Sequence, residues 1–182
     1  MSGMNMEIIN LLKQNAFYPL INKEIDLPDK QGLYLICINK IEVLPEAMEN
    51  LTYTYFEGKA VIYLGISGSR GLRKRDYNNH FHGTARVSTL RKSLGVLFGY
   101  EKVQSLKDQG TSNFKFITEY EKALTEWMLN NLIMYYYATD EDVENIETEL
   151  ISYFNPPLNL SKNKSEVNKE FRRKLSKLRC TL

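Results

Sequence analysis

Histidine and cysteine are scarce in this chain, with two of each in 182 residues. His80 and His82 form a His-x-His pair, but Cys37 and Cys180 are both distant from it in sequence. That disfavours a four-ligand zinc site. Two isolated cysteines make no disulfide framework, which fits a reducing, cytoplasmic compartment. No apolar run approaches the roughly 20 residues that a membrane span needs, and the N-terminal stretch lacks the basic-then-apolar layout of a signal peptide. A protein without a membrane partner is therefore expected. The glycines from Gly65 to Gly71 have the spacing of neither a P-loop nor a dinucleotide fingerprint. No Ser-His-Asp or Cys-His arrangement stands out. Internal repeats, low-complexity stretches and a recognition module such as a zinc finger or a helix-turn-helix are also missing.

What is present is an ordinary globular composition, 43% hydrophobic and 25% charged, long enough for one domain with a real core. The net charge of +2 conceals strong patterning. Residues 68–92 hold seven Lys/Arg against one Asp, and residues 162–182 hold eight against two acidic residues, so each block carries +6. Residues 119–149 hold nine acidic residues against one Lys, or −8. Two basic blocks around an acidic region point to a polyanionic partner such as nucleic acid, with a solvated or salt-bridged surface as the plain alternative.

Hydrophobic patterning predicts short elements. Glu7–Gln14 reads as an amphipathic helix and Phe17–Lys30 as an irregular lead-in. Gly32–Asn39 and Ala60–Ile66 are apolar runs too short for helices, so buried strands, joined as a long-looped hairpin. Leu51–Phe56 alternates Thr with Tyr and is a candidate edge strand, and Leu132–Ala138 is a third confident strand. Leu72–Phe81 reads as a basic helix, and Thr89–Phe98 as a helix capped by Ser88. Glu101–Ser112 is polar and reads as a mobile loop, followed by a helix over Glu119–Asn130. Thr139 is the expected cap of the next helix, with Asp140, Glu141 and Asp142 in its first turn, and Asn155-Pro156-Pro157 ends it. Ser165–Arg179 reads as a basic helix. The fold class is therefore α/β: a small three-stranded, mainly antiparallel sheet flanked by helices, with added helices and a basic C-terminal helix. The expected organisation is a lead-in over 1–30, a domain over 31–161 with an addition at about 101–130, and a basic extension over 162–182.

One residue breaks the pattern. With Val143 at zero, Ile146, Leu150, Phe154 and Ile151 fall at about 300°, 340°, 20° and 80° on a helical wheel. Glu147 falls at about 40°, within that apolar stripe, whereas Glu149 falls at about 240°, facing water. A carboxylate aimed at a core costs several kcal/mol unless a metal, a basic group or a proton occupies it. Other polar candidates are Asn159, twelve residues after Glu147, and Tyr34 and Tyr63, each within a buried strand. Taken singly, such strand tyrosines are most often core residues, and Arg70, Arg73 and Arg75 are most simply solvated.

Taken in order, these pieces carry a resemblance. Gly32-Leu33-Tyr34, Tyr63-Leu64-Gly65, Leu72-Arg73-Lys74-Arg75, Glu147 with Leu150-Ile151, and Pro157-Leu158-Asn159 resemble the motif series of the GIY-YIG nuclease superfamily, over about residues 31–160. The resemblance implies that Tyr34 and Tyr63 are the signature tyrosines, Arg75 the catalytic arginine, Glu147 the single metal ligand, and Asn159 the polar residue closing the site. His80 resembles a histidine that several members carry one helical turn after the arginine. Leu33 and Leu64 stand where isoleucines are usual. The loop between the tyrosine motifs is unusually long. The turn from Gly65 to Leu72 is longer than in compact members, which leaves Arg73 as the other reading of the catalytic arginine. His80 follows Arg75 by five residues, where four is usual. The Ser88–Leu94 segment and the 101–130 addition resemble the longer bacterial members.

The implied activity is a metal-dependent endonuclease that hydrolyses DNA phosphodiester bonds with one Mg²⁺ or Mn²⁺. A single carboxylate suffices for an ion that keeps most of its waters. Arg75 would clamp the phosphate and Tyr34 would serve as general base, with Tyr63 in support. Arg70, Arg73, Lys74, Arg91, Lys92, Arg172 and Arg173 are the expected nucleic-acid contacts. The competing readings are a nucleic-acid-binding protein with an inactive GIY-YIG-like fold and a structural protein whose Glu147 simply pairs with a basic side chain. Two cuts in a duplex would favour a homodimer.

Overall fold

In the computed structural model, residues 3–68 and 71–180 are described, apart from the side chains of residues 3–5 and 75. The elements are α1 (Gly3–Gln14), β1 (Ala16–Phe17), β2 (Gly32–Ile38), β3 (Tyr55–Phe56), β4 (Lys59–Ile66), a π-helix (Arg73–Phe81), α2 (Thr89–Leu97), β5 (Lys102–Val103), β6 (Lys115–Phe116), α3 (Thr118–Asn131), β7 (Leu132–Ala138), α4 (Glu144–Phe154) and α5 (Lys169–Cys180).

β2 is an unbroken apolar run because both faces of the sheet are covered. Its alternate side chains enter two apolar layers. Leu33 and Leu35 pack with Ile8 and Leu12 of α1 and with Ile146, Leu150 and Phe154 of α4. Tyr34 and Ile36 pack with Leu72 and Phe81 at the π-helix, with Leu90 and Leu94 of α2, and with Leu124 of α3. β2 pairs antiparallel with β4 on one side and with β7 on the other, which places it at the centre of the sheet.

The sheet has five strands in the order β1-β7-β2-β4-β3, rather than three. The two extra strands are two-residue edge pairings, β1 on β7 and β3 on β4. β3 falls within the candidate edge strand Leu51–Phe56, whereas a segment as short as β1 shows no hydrophobic period of its own. α4 begins at Glu144, later than its expected cap at Thr139. The Thr139 hydroxyl accepts the Glu141 N–H, the Asp142 carboxylate accepts the Glu144 N–H, and Asp140 pairs with Lys30, so these side chains build a turn instead. The polar stretch after α2 is not a loose loop. β5 and β6 pair, and the Asp108 carboxylate accepts from Ser105 and Asn113 and meets Arg86 at 3.0 Å.

The basic helix after β4 is a π-helix, with the His82 N–H donating to the Tyr77 carbonyl, five residues back, at 3.1 Å. In that geometry residues five apart stand one turn apart. The five-residue step from Arg75 to His80 therefore does the work of four in an α-helix. Among the described residues, no helix is long and apolar enough to cross a membrane.

Candidate active site

The two tyrosine motifs meet across the β2–β4 ladder, where Tyr34 is the partner of Gly65 and Ile36 is the partner of Tyr63. This puts both tyrosine rings on one face of the sheet, 6.3 Å apart. His80, carried in by the π-helix, packs against both, with ring centroids 5.6 Å from Tyr34 and 5.9 Å from Tyr63. The Tyr34 hydroxyl lies 2.7 Å from His80 Nε2, and His80 Nδ1 lies 2.6 Å from Ser88 Oγ. Ser88 also accepts the Arg91 N–H as the cap of α2, so the cap fixes the imidazole. Asp76 stands 3.7 Å from His80 Nε2. Both Tyr34 and His80 are buried.

A cleft of about 430 Å³ opens beside this cluster. Tyr63, whose hydroxyl lies 3.0 Å from Thr89 Oγ1, is on its wall, as are Glu147 and Asn159. Glu147 belongs to the first turn of α4 and its side chain is only 12% exposed, as its wheel position predicts. Lys162 Nζ donates to Glu147 Oε2 at 2.6 Å, and this bond raises the lysine pKa above its usual value. A left-handed backbone at Lys162 (φ 62°) turns the chain back towards α4. Among the described residues, no group of three or more His, Cys, Asp or Glu side chains could hold a metal.

Asn159 stands on the cleft wall with its carboxamide bonded to the backbone of β4. Its Oδ1 accepts the Leu64 N–H at 2.9 Å and its Nδ2 donates to the Leu64 carbonyl at 2.8 Å. Leu158 N–H donates to the Ile62 carbonyl. The segment after α4 is thereby clipped to an edge of β4 beyond the reach of two-residue β3. The carboxamide is spent on backbone and positions the cleft wall.

The expected nucleic-acid contacts divide. Arg70 and the side chain of Arg75 lie outside the described residues, although the Arg75 backbone is in the π-helix. Arg73 donates through Nε and Nη2 to the Leu27 carbonyl and so holds the lead-in segment. Lys74 and Arg173 are exposed, the latter beside Glu170. Lys92 lines the cleft.

Arg91 and Arg172 are corrections to the expected contact set. Arg91 is fully buried, 2.8 Å from Glu121 Oε2, with further bonds to the carbonyls of His80, Phe81 and Glu121. Burial lowers its pKa and Glu121 opposes that shift. Arg172 is buried against the carbonyls of Val167 and Ser165. Neither guanidinium is available to a phosphate.

Sequence reasoning missed Lys162, Thr89 and Arg179 on the cleft wall. Arg179 carried a signal. It follows Leu175 by four residues and Arg172 by seven, so one stripe of α5 holds all three. Lys162 had none, because a left-handed turn brings it to Glu147.

Comparison with curated proteins and with solved structures found no match. The family model of the GIY-YIG catalytic domain matches residues 32–181, reaching through α5. The tyrosine pair facing one histidine and the cleft carboxylate of Glu147 thus stand within that domain, and the chain belongs to the GIY-YIG nuclease family.

Proposed function

We propose that this chain is a metal-dependent endonuclease that hydrolyses DNA phosphodiester bonds at the Tyr63–Glu147 cleft. The observation that carries the reading is the Tyr34–His80–Ser88 chain of contacts, 2.7 and 2.6 Å long, packed behind a cleft that holds one carboxylate among the described residues. It unites proton-transfer groups with a cation-binding group, which hydrolysis of a phosphodiester needs.

The residues fit a divalent ion held by one protein ligand. Glu147 Oε2 already carries a cationic group, Lys162 Nζ. With no group of three or more His, Cys, Asp or Glu side chains among the described residues, an ion on Glu147 would keep most of its waters, which suits Mg²⁺ or Mn²⁺ rather than zinc. Bound there, it would polarise the phosphate and offset charge on the leaving oxygen.

The chain's own groups supply the rest. Tyr63 faces the cleft and Tyr34 lies behind it, so Tyr63, with Thr89 Oγ1, orients the attacking water. The Tyr34 hydroxyl shares its proton with His80 Nε2, and Ser88 fixes the imidazole from the far side. Arg75, one π-helical turn before His80, supplies the fork for the nonbridging oxygens. Arg73 is committed to the Leu27 carbonyl, which favours Arg75 for this task. Every group invoked belongs to one chain, so a single cut does not require a dimer.

The test is incubation with plasmid DNA and Mg²⁺ or Mn²⁺, with and without EDTA. Nicking that EDTA blocks and that Glu147→Ala abolishes, while DNA binding persists, is the expected result. Binding without nicking under any metal condition would instead favour the inactive, nucleic-acid-binding reading.

A further inference from the structure

The cleft has a second set of charges that the hydrolytic chemistry does not use. Glu147 and Lys162 come from α4 and the segment after Asn159, whereas Lys92 comes from α2 and Arg179 from α5. Arg179 is half-buried, and among the described residues it has no carboxylate or hydrogen-bond partner. The other buried arginines differ: Arg91 is neutralised by Glu121 and Arg172 is bonded to carbonyls. Lys92 donates to Asn113 Oδ1 at 2.9 Å and lies over the Phe114 ring, but it too has no carboxylate within ion-pair distance among the described residues.

Burial lowers the pKa of both groups and the Arg179 charge lowers Lys92 further, while Tyr63 and Cys180 act in the opposite sense on Arg179 and Asp108 does so on Lys92. Two like charges held together at a partly desolvated wall are costly unless an anion joins them.

The wall is also built rather than incidental. Leu175, one turn before Arg179, is fully buried and fixes the face of α5 that turns inward. Lys102 of β5 donates to the Leu178 carbonyl, which ties the end of α5 to the β5–β6 ribbon. Lys102 and Lys92 both lie over the ring of Phe114, at 4.9 and 5.3 Å. The addition after α2 and the basic C-terminal helix thus meet at the place where the two cations face the cleft.

We propose that Arg179 and Lys92 form a phosphate subsite that holds the DNA backbone next to the bond being cut. The inference rests on the nuclease reading and adds a substrate contact to it. Arg179 offers a planar fork to the phosphate oxygens, while Lys92 adds a point charge.

The test uses the full chain carrying Glu147→Gln, which silences cleavage, and a fluorescent duplex titrated at several KCl concentrations. Adding Arg179→Ala is expected to weaken binding about tenfold and to reduce the slope of log K against log salt by about 1. Arg179→Lys should keep the slope and recover part of the affinity. Lys174→Ala, on the exposed face of α5, should change neither beyond a small electrostatic loss. Arg179→Gln retains the side-chain stem and replaces the alanine variant if thermal unfolding shows that variant to be unfolded. Unchanged affinity and slope in the folded Arg179 variant, with a wild-type chain that cuts DNA, would overturn the subsite alone. A wild-type chain that neither cuts nor binds DNA would overturn the subsite and the nuclease reading together.

Discussion

The ring of Tyr34 lies over Gly65, its partner across the β2–β4 ladder, in the space that a Cβ would fill. A methyl at Gly65 would stand 2.5 Å from the Tyr34 hydroxyl oxygen and 2.7 Å from Cζ. Gly65→Ala should therefore push Tyr34 away from His80 and cost about 1–3 kcal/mol of stability, as overpacking does. In a Tyr34→Ala background, itself destabilised by loss of the buried ring, Gly65→Ala should cost little further stability, and cleavage should not return. Denaturant unfolding of the two single variants and the double variant reads the coupling; strictly additive losses would show that the ring does not need the glycine.

Tyr34→Phe removes the hydroxyl but keeps the packing, and His80→Ala removes the proton partner. Each should lower the cleavage rate by roughly 10²–10⁴. DNA affinity measured alongside Glu147→Gln should stay unchanged, because neither side chain reaches the cleft wall. A loss of affinity equal to the loss of rate would place these residues in substrate binding instead.

Arg91→Ala should be the most damaging single change in the first basic block. It strands the Glu121 carboxylate, which also accepts the N–H groups of Ala85 and Phe116, and leaves the carbonyls of His80 and Phe81 without this donor. Breaking a buried pair from one side costs about 3–5 kcal/mol, to be read from the denaturant midpoint. Lys74→Ala, at an exposed position, should shift that midpoint very little.

Lys162 sits on the carboxylate oxygen that a metal would use. Lys162→Ala should tighten Mn²⁺ binding several-fold, because the ion no longer displaces an internal cation. Titration followed by electron paramagnetic resonance measures this without cleavage. Weaker Mn²⁺ binding in Lys162→Ala would show that the lysine helps to assemble the site.

Local signals and distant partners explain what was legible. The central strands, the Ser88 cap and the buried face of Glu147 each follow from a few neighbouring residues, so periodicity and cap chemistry suffice. Arg91 escaped although the test applied to Glu147 bears on it too. It precedes Leu94 by three residues on the inward side of α2, but its partner Glu121 is thirty residues away. The role of Asn159 was hidden in the same way, since its partner is the Leu64 backbone and backbone leaves no trace in side-chain patterning. β1 is set by pairing with β7 rather than by its own two residues, whereas the Thr–Tyr alternation of Leu51–Phe56 announced β3.

The π-helix has a consequence for how much change the site can absorb. One residue added to an α-helix turns everything beyond it by about 100°. Spread over the wider turns from Arg73 to Phe81, an added residue leaves its two ends facing as before. Spacing along the chain and orientation in space are uncoupled in this helix. Deleting Asn78, which is exposed, should let the segment tighten to an α-helix with Arg75 and His80 still one turn apart.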